Sequence, residues 1–228
     1  MIDWVIAHRP QSFDEMALYP ELRERLEFYA KTGSFSHLLM IGDTGVGKTT
    51  AARILGDLTD FTTLEEDCAA DSSKARMLSL IKGTTSVSLF GTRRIIIMDE
   101  FHEVPMPVQK VFNKSMEDGA DRNIYILCVN DEDGVAAPIK SRCMELRFDV
   151  AVLPKRTMKL QMMPWVNFGV EEWKLELKRI GKIVAKKAGY EVSEEQLSAV
   201  ASRDVNILDA RKFIRNLEER IKMDEAKN

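Results

Sequence analysis

Residues 42–49 read GDTGVGKT, an unbroken GxxxxGK[ST] pattern, and residue types in that order hold a triphosphate. Gly42, Gly45 and Gly47 allow backbone N–H groups to crowd round phosphate oxygens where a Cβ would collide. Asp43, Thr44 and Val46 fill the loop between them, and Thr50 follows its end. Lys48 neutralises charge on the β- and γ-phosphates, and the Thr49 hydroxyl is suited to Mg²⁺. The helix expected after the loop aims its positive end at the same oxygens.

A second set of chemically suited residues follows an apolar run. Ile95, Ile96, Ile97 and Met98 lead straight into Asp99 and Glu100, so a buried strand delivers two carboxylates at its C-terminal end. Ligands of parallel sheets bind at that edge. Asp99 can order Mg²⁺ through its waters while Glu100 polarises an attacking water, a division suited to phosphoryl transfer, where catalysis is mostly positioning and charge compensation. Asn130 ends another apolar run, NIYILCVN, and can hold the lytic water or touch the γ-phosphate. Arg142 lies in Ser-Arg-Cys at 141–143, just before a last strand. From there its guanidinium could complete a neighbouring subunit's site.

Positioning these groups requires an alternation of strands and helices, and the hydrophobic pattern supplies one. Strands are expected at 37–41, 61–64, 94–100, 123–130 and 144–148, with a helix at 20–31 before them and helices at 50–58, 72–82 and 108–116 among them. Uninterrupted apolar strands separated by amphipathic segments imply a parallel sheet covered by helices on both faces. The pattern breaks between Asp149 and Val170, where Pro154, Pro164 and a Met-rich segment intervene. Beyond it, Trp173, Leu177, Ile180 and Val184 mark one face of a helix that Gly189 closes. Ser193 opens a capping box for a second helix. Ile207, Ala210, Ile214, Leu217 and Ile221 mark a third. The expected organisation is an α/β nucleotide-binding domain over 1–150, a connector over 151–168 and a small helical lid over 169–228, with an irregular lead-in at the start and a frayed tail from Lys222.

Bulk composition narrows the class. A chain of 228 residues with 45% hydrophobic and 30% charged residues has the makeup of a folded globular protein with room for a core and a satellite domain. No apolar run approaches the roughly twenty residues of a membrane span, and the N-terminus lacks a signal core, so no membrane association and a cytoplasmic location are expected. Cys68, Cys128 and Cys143 are too dispersed for a zinc site and read as free thiols. A net charge of −3 confines any DNA binding to local clusters or to an assembly.

GDTGVGKT, IIIMDE, Asn130, Ser-Arg-Cys at 141–143 and Asp-Ala-Arg at 209–211, in this order, resemble the AAA+ ATPases and in particular the sliding-clamp-loader subunits. The opening HRPQSFDEM resembles the clamp-loader opening YRPxxFDE, with His8 in place of its Tyr. The resemblance implies an AAA+ P-loop core followed by a helical lid, and ATP as the nucleotide. It places Arg9 near the adenine, makes Asn130 the first sensor and Arg142 an arginine finger acting in trans, and assigns Arg211 to the lid arginine that reports the γ-phosphate. Arg211 also stands one step off the apolar stripe of its helix, as an interface arginine would. Gln109 is similar to the residue that couples the family's DNA and ATP sites. The implied partners are other loader subunits, a sliding clamp and primer-template DNA. Family subunits carry a further helical collar that this sequence is expected to lack.

Ser73, Lys74 and Arg76 on one segment, and Lys110 and Lys114 on another, are the candidate DNA contacts, since helix N-termini and basic side chains bind phosphates without reading sequence. The main expectation is an ATP-hydrolysing clamp-loader subunit. Its competitors are another AAA+ remodeller, such as a helicase loader, and a structural subunit whose nucleotide is only cement. Intact Lys48, Asp99, Glu100 and Asn130 disfavour the last, and the absence of an [NT]KxD motif disfavours a GTPase.

Overall fold

A computed structural model describes residues 3–85, 93–119, 122–148, 170–202 and 209–225. Within it the chain groups into two compact units, Arg25–Gly42 with Ala51–Arg147, and Met1–Glu24 with Asp43–Thr50 and Phe148–Asn228.

The first unit is built on a five-stranded sheet of β1 (Leu38–Ile41), β2 (Thr62–Asp67), β3 (Arg94–Asp99), β4 (Asn123–Val129) and β5 (Met144–Arg147). Their spatial order is β2-β3-β4-β1-β5 and every pairing is parallel. Parallel neighbours need crossovers, which α3 (Lys48–Asp57), α4 (Lys74–Thr85), α5 (Met106–Asp118) and the short α6 (Ala137–Lys140) supply. All seven residues of the central β4 are buried, which explains why this strand shows no apolar–polar alternation in sequence. Along one face Leu39, Ile96, Met98, Tyr125 and Leu127 form a core with Phe101, Phe112, Met116 and Ile139. Phe112 stands edge-on to both Phe101 and Tyr125, with ring centroids 5.8 and 6.1 Å apart. The alternate residues Leu38, Met40, Ile95, Ile97 and Ile126 are fully buried on the opposite face. Edge strand β2 is polar, and expectation stopped at residue 64 because Glu65–Asp67 carry no apolar signal; backbone pairing to β3 extends it to Asp67.

The second unit contains α7 (Val170–Lys187), α8 (Glu194–Ser202) and α9 (Ala210–Glu225). Trp173, Leu177, Ile180 and Val184 are buried as their spacing predicts, with Leu197, Val200, Phe213, Leu217 and Ile221. Gly181 lets these helices approach closely: a Cβ there would lie 2.9–3.0 Å from Leu197, Leu217 and Phe213. The predicted capping box forms, with Gln196 N–H donating to Ser193 Oγ (3.1 Å) and Ser193 N–H to Gln196 Oε1 (3.0 Å). Gly189, at φ +87°, closes α7 while Tyr190 N–H bonds Ala185 O and its own N–H bonds Lys186 O.

Two expectations change. The lead-in is not wholly irregular: ahead of the expected helix, α2 (Pro20–Thr32), a short α1 (Trp4–Ala7) is capped by Asp3, Trp4 is buried, and its N–H donates to Glu218 Oε2 at 3.1 Å. Four residues are too few to show a helical period. The tail is ordered through Glu225, because Glu218–Lys222 and Arg220–Asp224 pair one turn apart and Gln196 donates to Asp224. Residue 207, the 151–168 connector and residues 226–228 lie outside the described residues. Among the described residues no helix is long and apolar enough to cross a membrane.

Candidate functional site

Because all five strands run the same way, their C-terminal ends share one edge. Asp99 closes β3, and its carbonyl accepts from Cys68 N–H at 3.0 Å while its Oδ1 accepts from Glu100 N–H at 3.2 Å. Glu100 is the one non-glycine residue at positive φ among the described residues (φ 51°, ψ 40°). A β-carbon in that region costs of order 1 kcal/mol. The strain turns the chain sharply off the strand and leaves the Glu100 carboxylate beside β4, where Asn130 Nδ2 donates to its Oε2 at 3.0 Å. His102 Nε2 lies 3.4 Å from the same oxygen.

Gln109 holds this arrangement from below. It is fully buried, and its amide donates to Val104 O (2.9 Å) and Gly134 O (2.8 Å) while its oxygen accepts from Ala136 N–H (2.8 Å). One side chain thereby joins the loop after β3, which carries Glu100, to the loop after β4, which carries Asn130. Gly134 in turn packs on His102, where a Cβ would come within 2.7 Å of the histidine Cβ.

The glycine-rich loop leaves the same edge: Gly42 N–H donates to Val129 O at 3.2 Å, at the end of β4. Gly45 and Gly47 take φ +88° and +102°, a backbone that L side chains resist. Val46 and Lys48 are buried, and Lys48 Nζ donates to Asp43 O at 3.0 Å, folded over its own loop. The bare glycine backbone, the buried lysine and the opening of α3 at Lys48 fit a triphosphate. The Thr49 hydroxyl and the Asp99 carboxylate are each hard oxygen groups of the kind that Mg²⁺ takes. Asp209 caps α9, accepting from Arg211 N–H (2.9 Å) and Lys212 N–H (3.2 Å), and its carboxylate packs on Gly45, 2.0 Å from where a Cβ would stand.

Arg142 occupies the other edge of the sheet. It precedes β5, whose Met144 pairs with Leu38 at the start of β1, so a strand length of roughly 13–20 Å separates it from the carboxyl edge. There it pairs with Glu117 and donates to Pro138 O at 2.7 Å. Arg9 and Arg211 are exposed. Of the candidate DNA contacts, Ser73, Lys74, Lys110 and Lys114 are exposed, whereas Arg76 is held by Glu66 through two 2.5 Å bonds. Burial pushes the Cys68 and Cys143 thiols up to about 12, which leaves them unreactive.

The sequence model of the family described as "ATPase family associated with various cellular activities (AAA)" matches residues 38–150. The chain carries an AAA+ ATPase domain. Among relatives of this AAA+ chain, replication factor C small subunit 2 of Pyrobaculum aerophilum is 27% identical over 204 residues, covering 86% of this chain and 57% of that protein. The P. islandicum replication factor C small subunit 2 is 30% identical over 162 residues, covering 68% and 50%. The chain thus spans about half the length of these curated relatives. In fold it is similar to the Thermotoga maritima RuvB Holliday junction branch migration motor, with a TM-score of 0.71 at 20% identity over 96% of this chain and 67% of that one.

Sequence reasoning singled out the loop, Asp99, Glu100, Asn130 and Gln109, marked Asp209 only as the first residue of Asp-Ala-Arg with no role of its own, and missed His102 and Glu117. Asp209 carried a readable signal, an Asp one residue before a helical stripe. Glu117 carried none, since its partner is far away in sequence.

Proposed function

We propose that this chain hydrolyses ATP as one subunit of an AAA+ remodelling assembly. The observation that carries the reading is the carboxyl edge of the sheet, where Gly42, Asp99, Glu100 and Asn130 emerge from neighbouring strands and the last two are bonded to one another. Lys48 and the loop N–H groups bind and orient the triphosphate. Thr49 and Asp99 would hold Mg²⁺, which when bound supplies charge neutralisation between the phosphates. Glu100 takes the proton of the attacking water: the Asn130 and His102 contacts both fall on Oε2, which sets the rotamer and presents Oε1 to that water. Arg211 reports the γ-phosphate from the lid, Arg9 lies by the adenine, and Gln109 transmits changes between the two catalytic loops. Arg142 serves a neighbour's nucleotide, a reading supported by its place at the edge of the sheet opposite Asp99 and Asn130.

Within this class, a clamp-loader subunit is favoured by Ser141-Arg142-Cys143, by HRPQSFDE and by the replication factor C relatives. That reading brings other loader subunits, a sliding clamp and primer-template DNA as partners, with Ser73, Lys74, Lys110 and Lys114 facing DNA and Arg76 reaching it only by leaving Glu66. A different DNA-processing remodeller is favoured by the fold likeness to RuvB. Steady-state ATPase assays on the assembled protein separate them. Stimulation by primed DNA and a sliding clamp together supports loading, turnover indifferent to clamps supports the other remodeller, and an assembly that binds ATP without turnover sinks both.

A further inference from the structure

We propose that Arg93 is a second trans-acting cation, which binds, beside Arg142, the phosphate oxygens of a nucleotide held by a neighbouring copy of this chain. The proposal rests on the reading of Arg142 as acting across subunits.

A cavity of about 650 Å³ opens at the amino-terminal edge of the sheet, lined by Phe35, His37, Arg93, Glu117 and Arg142 among others. Arg93 precedes β3, His37 precedes β1 and Arg142 precedes β5, so the cavity lies where three parallel strands begin. The Arg93 guanidinium rests over the Phe61 ring, 5.5 Å from its centroid, while its buried Nε finds no acceptor among the described residues. The side chain as a whole is only half-buried and lines the cavity, so its charge faces an anion that enters there. Arg142 is already held by Glu117.

His37 adds no charge. Its Nδ1 accepts from Tyr125 N–H at 3.1 Å, so its Nε2 donates to Met116 O at 3.2 Å. Burial holds its proton affinity below that of a free histidine, and the nearby Arg93 and Arg142 push the same way against the Met116 bond. Two guanidiniums therefore share the cavity with Glu117, the one carboxylate among its described lining residues. Like charges kept together with half their neutralisation are complementary to an incoming anion, and the guanidinium fork suits phosphate. The chain's own phosphate loop leaves the opposite edge of the sheet. Head-to-tail association, the geometry that builds rings and spirals, lays the amino edge of one copy on the carboxyl edge of the next and brings this cavity to the next copy's phosphates. Glu117 is then the internal stand-in that Arg142 gives up on assembly.

The test uses Arg93→Ala and Arg93→Gln, the latter keeping a long side chain over Phe61, with folding checked by circular dichroism. In assembled protein each is expected to lower kcat by at least about tenfold while its own ATP affinity, read with a fluorescent analogue, is unchanged. Mixed with Glu100→Gln protein, either variant should regain turnover, because an intact Glu100 then faces an intact Arg93. Unchanged kcat in a folded variant overturns the proposal. So does a loss that Glu100→Gln fails to rescue while it does rescue Arg142→Ala; in that case Arg93 acts within its own subunit and the reading of Arg142 stands. If neither variant is rescued despite demonstrated co-assembly, the cross-subunit reading itself fails and this proposal with it.

Discussion

Gly45 and Asp209 offer a quantitative test of how the lid helix is registered on the phosphate loop. Replacing Gly45 with alanine places a methyl at φ +88° and 2.0 Å from Asp209 Oδ1. The backbone strain costs about 1–2 kcal/mol. The carboxylate must also swing away, which breaks its bonds to Arg211 and Lys212 N–H and costs about 1 kcal/mol more, as for loss of any N-cap. Gly45→Ala should therefore destabilise by about 2–3 kcal/mol, and Asp209→Ala, which loses only the cap, by about 1 kcal/mol. In the Gly45→Ala background the cap is already broken, so Asp209→Ala should cost almost nothing further. The double-mutant cycle, measured by equilibrium urea unfolding, should show a coupling of about −1 kcal/mol. Independent sites add to within about 0.5 kcal/mol, so additive costs would refute the contact as the link between loop and lid.

Other expectations follow from the same geometry. Glu100→Gln should abolish turnover yet retain ATP, and Asn130→Ala, which frees the Glu100 carboxylate from its 3.0 Å bond, should lower kcat about 10²-fold with little change in KM; steady-state kinetics read both. Gln109→Ala orphans two carbonyls and the Ala136 N–H, so it should destabilise the fold by about 3 kcal/mol and lower kcat, whereas Gln109→Glu, keeping the acceptor, should restore part of each. His37 refuses a proton that the unfolded chain accepts, so its contribution to stability is present above pH 6.5 and declines as pH falls below that value toward its depressed folded-state pKa. Urea midpoints between pH 7.5 and 5 should drop, and the His37 ring should titrate by NMR below 6.5.

The parts of this protein that could be read from its sequence are those in which chemistry and local pattern coincide. GDTGVGKT is contiguous because its glycines shape one continuous loop, and IIIMDE is contiguous because a buried strand runs directly into its two carboxylates at the carboxyl edge of the sheet. The helices of the second unit announce themselves by spacing and by the Ser193 box, all within one turn or a few. What escaped depends on where separate strands begin and end. Arg142 reads from sequence as lying near a sheet end, but only the parallel register that sets Met144 beside Leu38 shows which end, the one opposite Asp99 and Asn130. Arg76 looked available as a cation until β2 placed Glu66 beneath it. The strain at Glu100 was invisible because glutamate gives no warning of positive φ; it arises from the demand that one carboxylate leave β3 and meet Asn130 across to β4. Gln109 sits between these cases: its position was marked by resemblance, while its physical role follows from three backbone bonds that join two loops 25 or more residues apart. The residues proposed to switch the site are thus encoded at a distance, and those proposed to bind the phosphates are encoded locally. Resetting a neighbour's loop alters turnover at the first group and leaves affinity at the second.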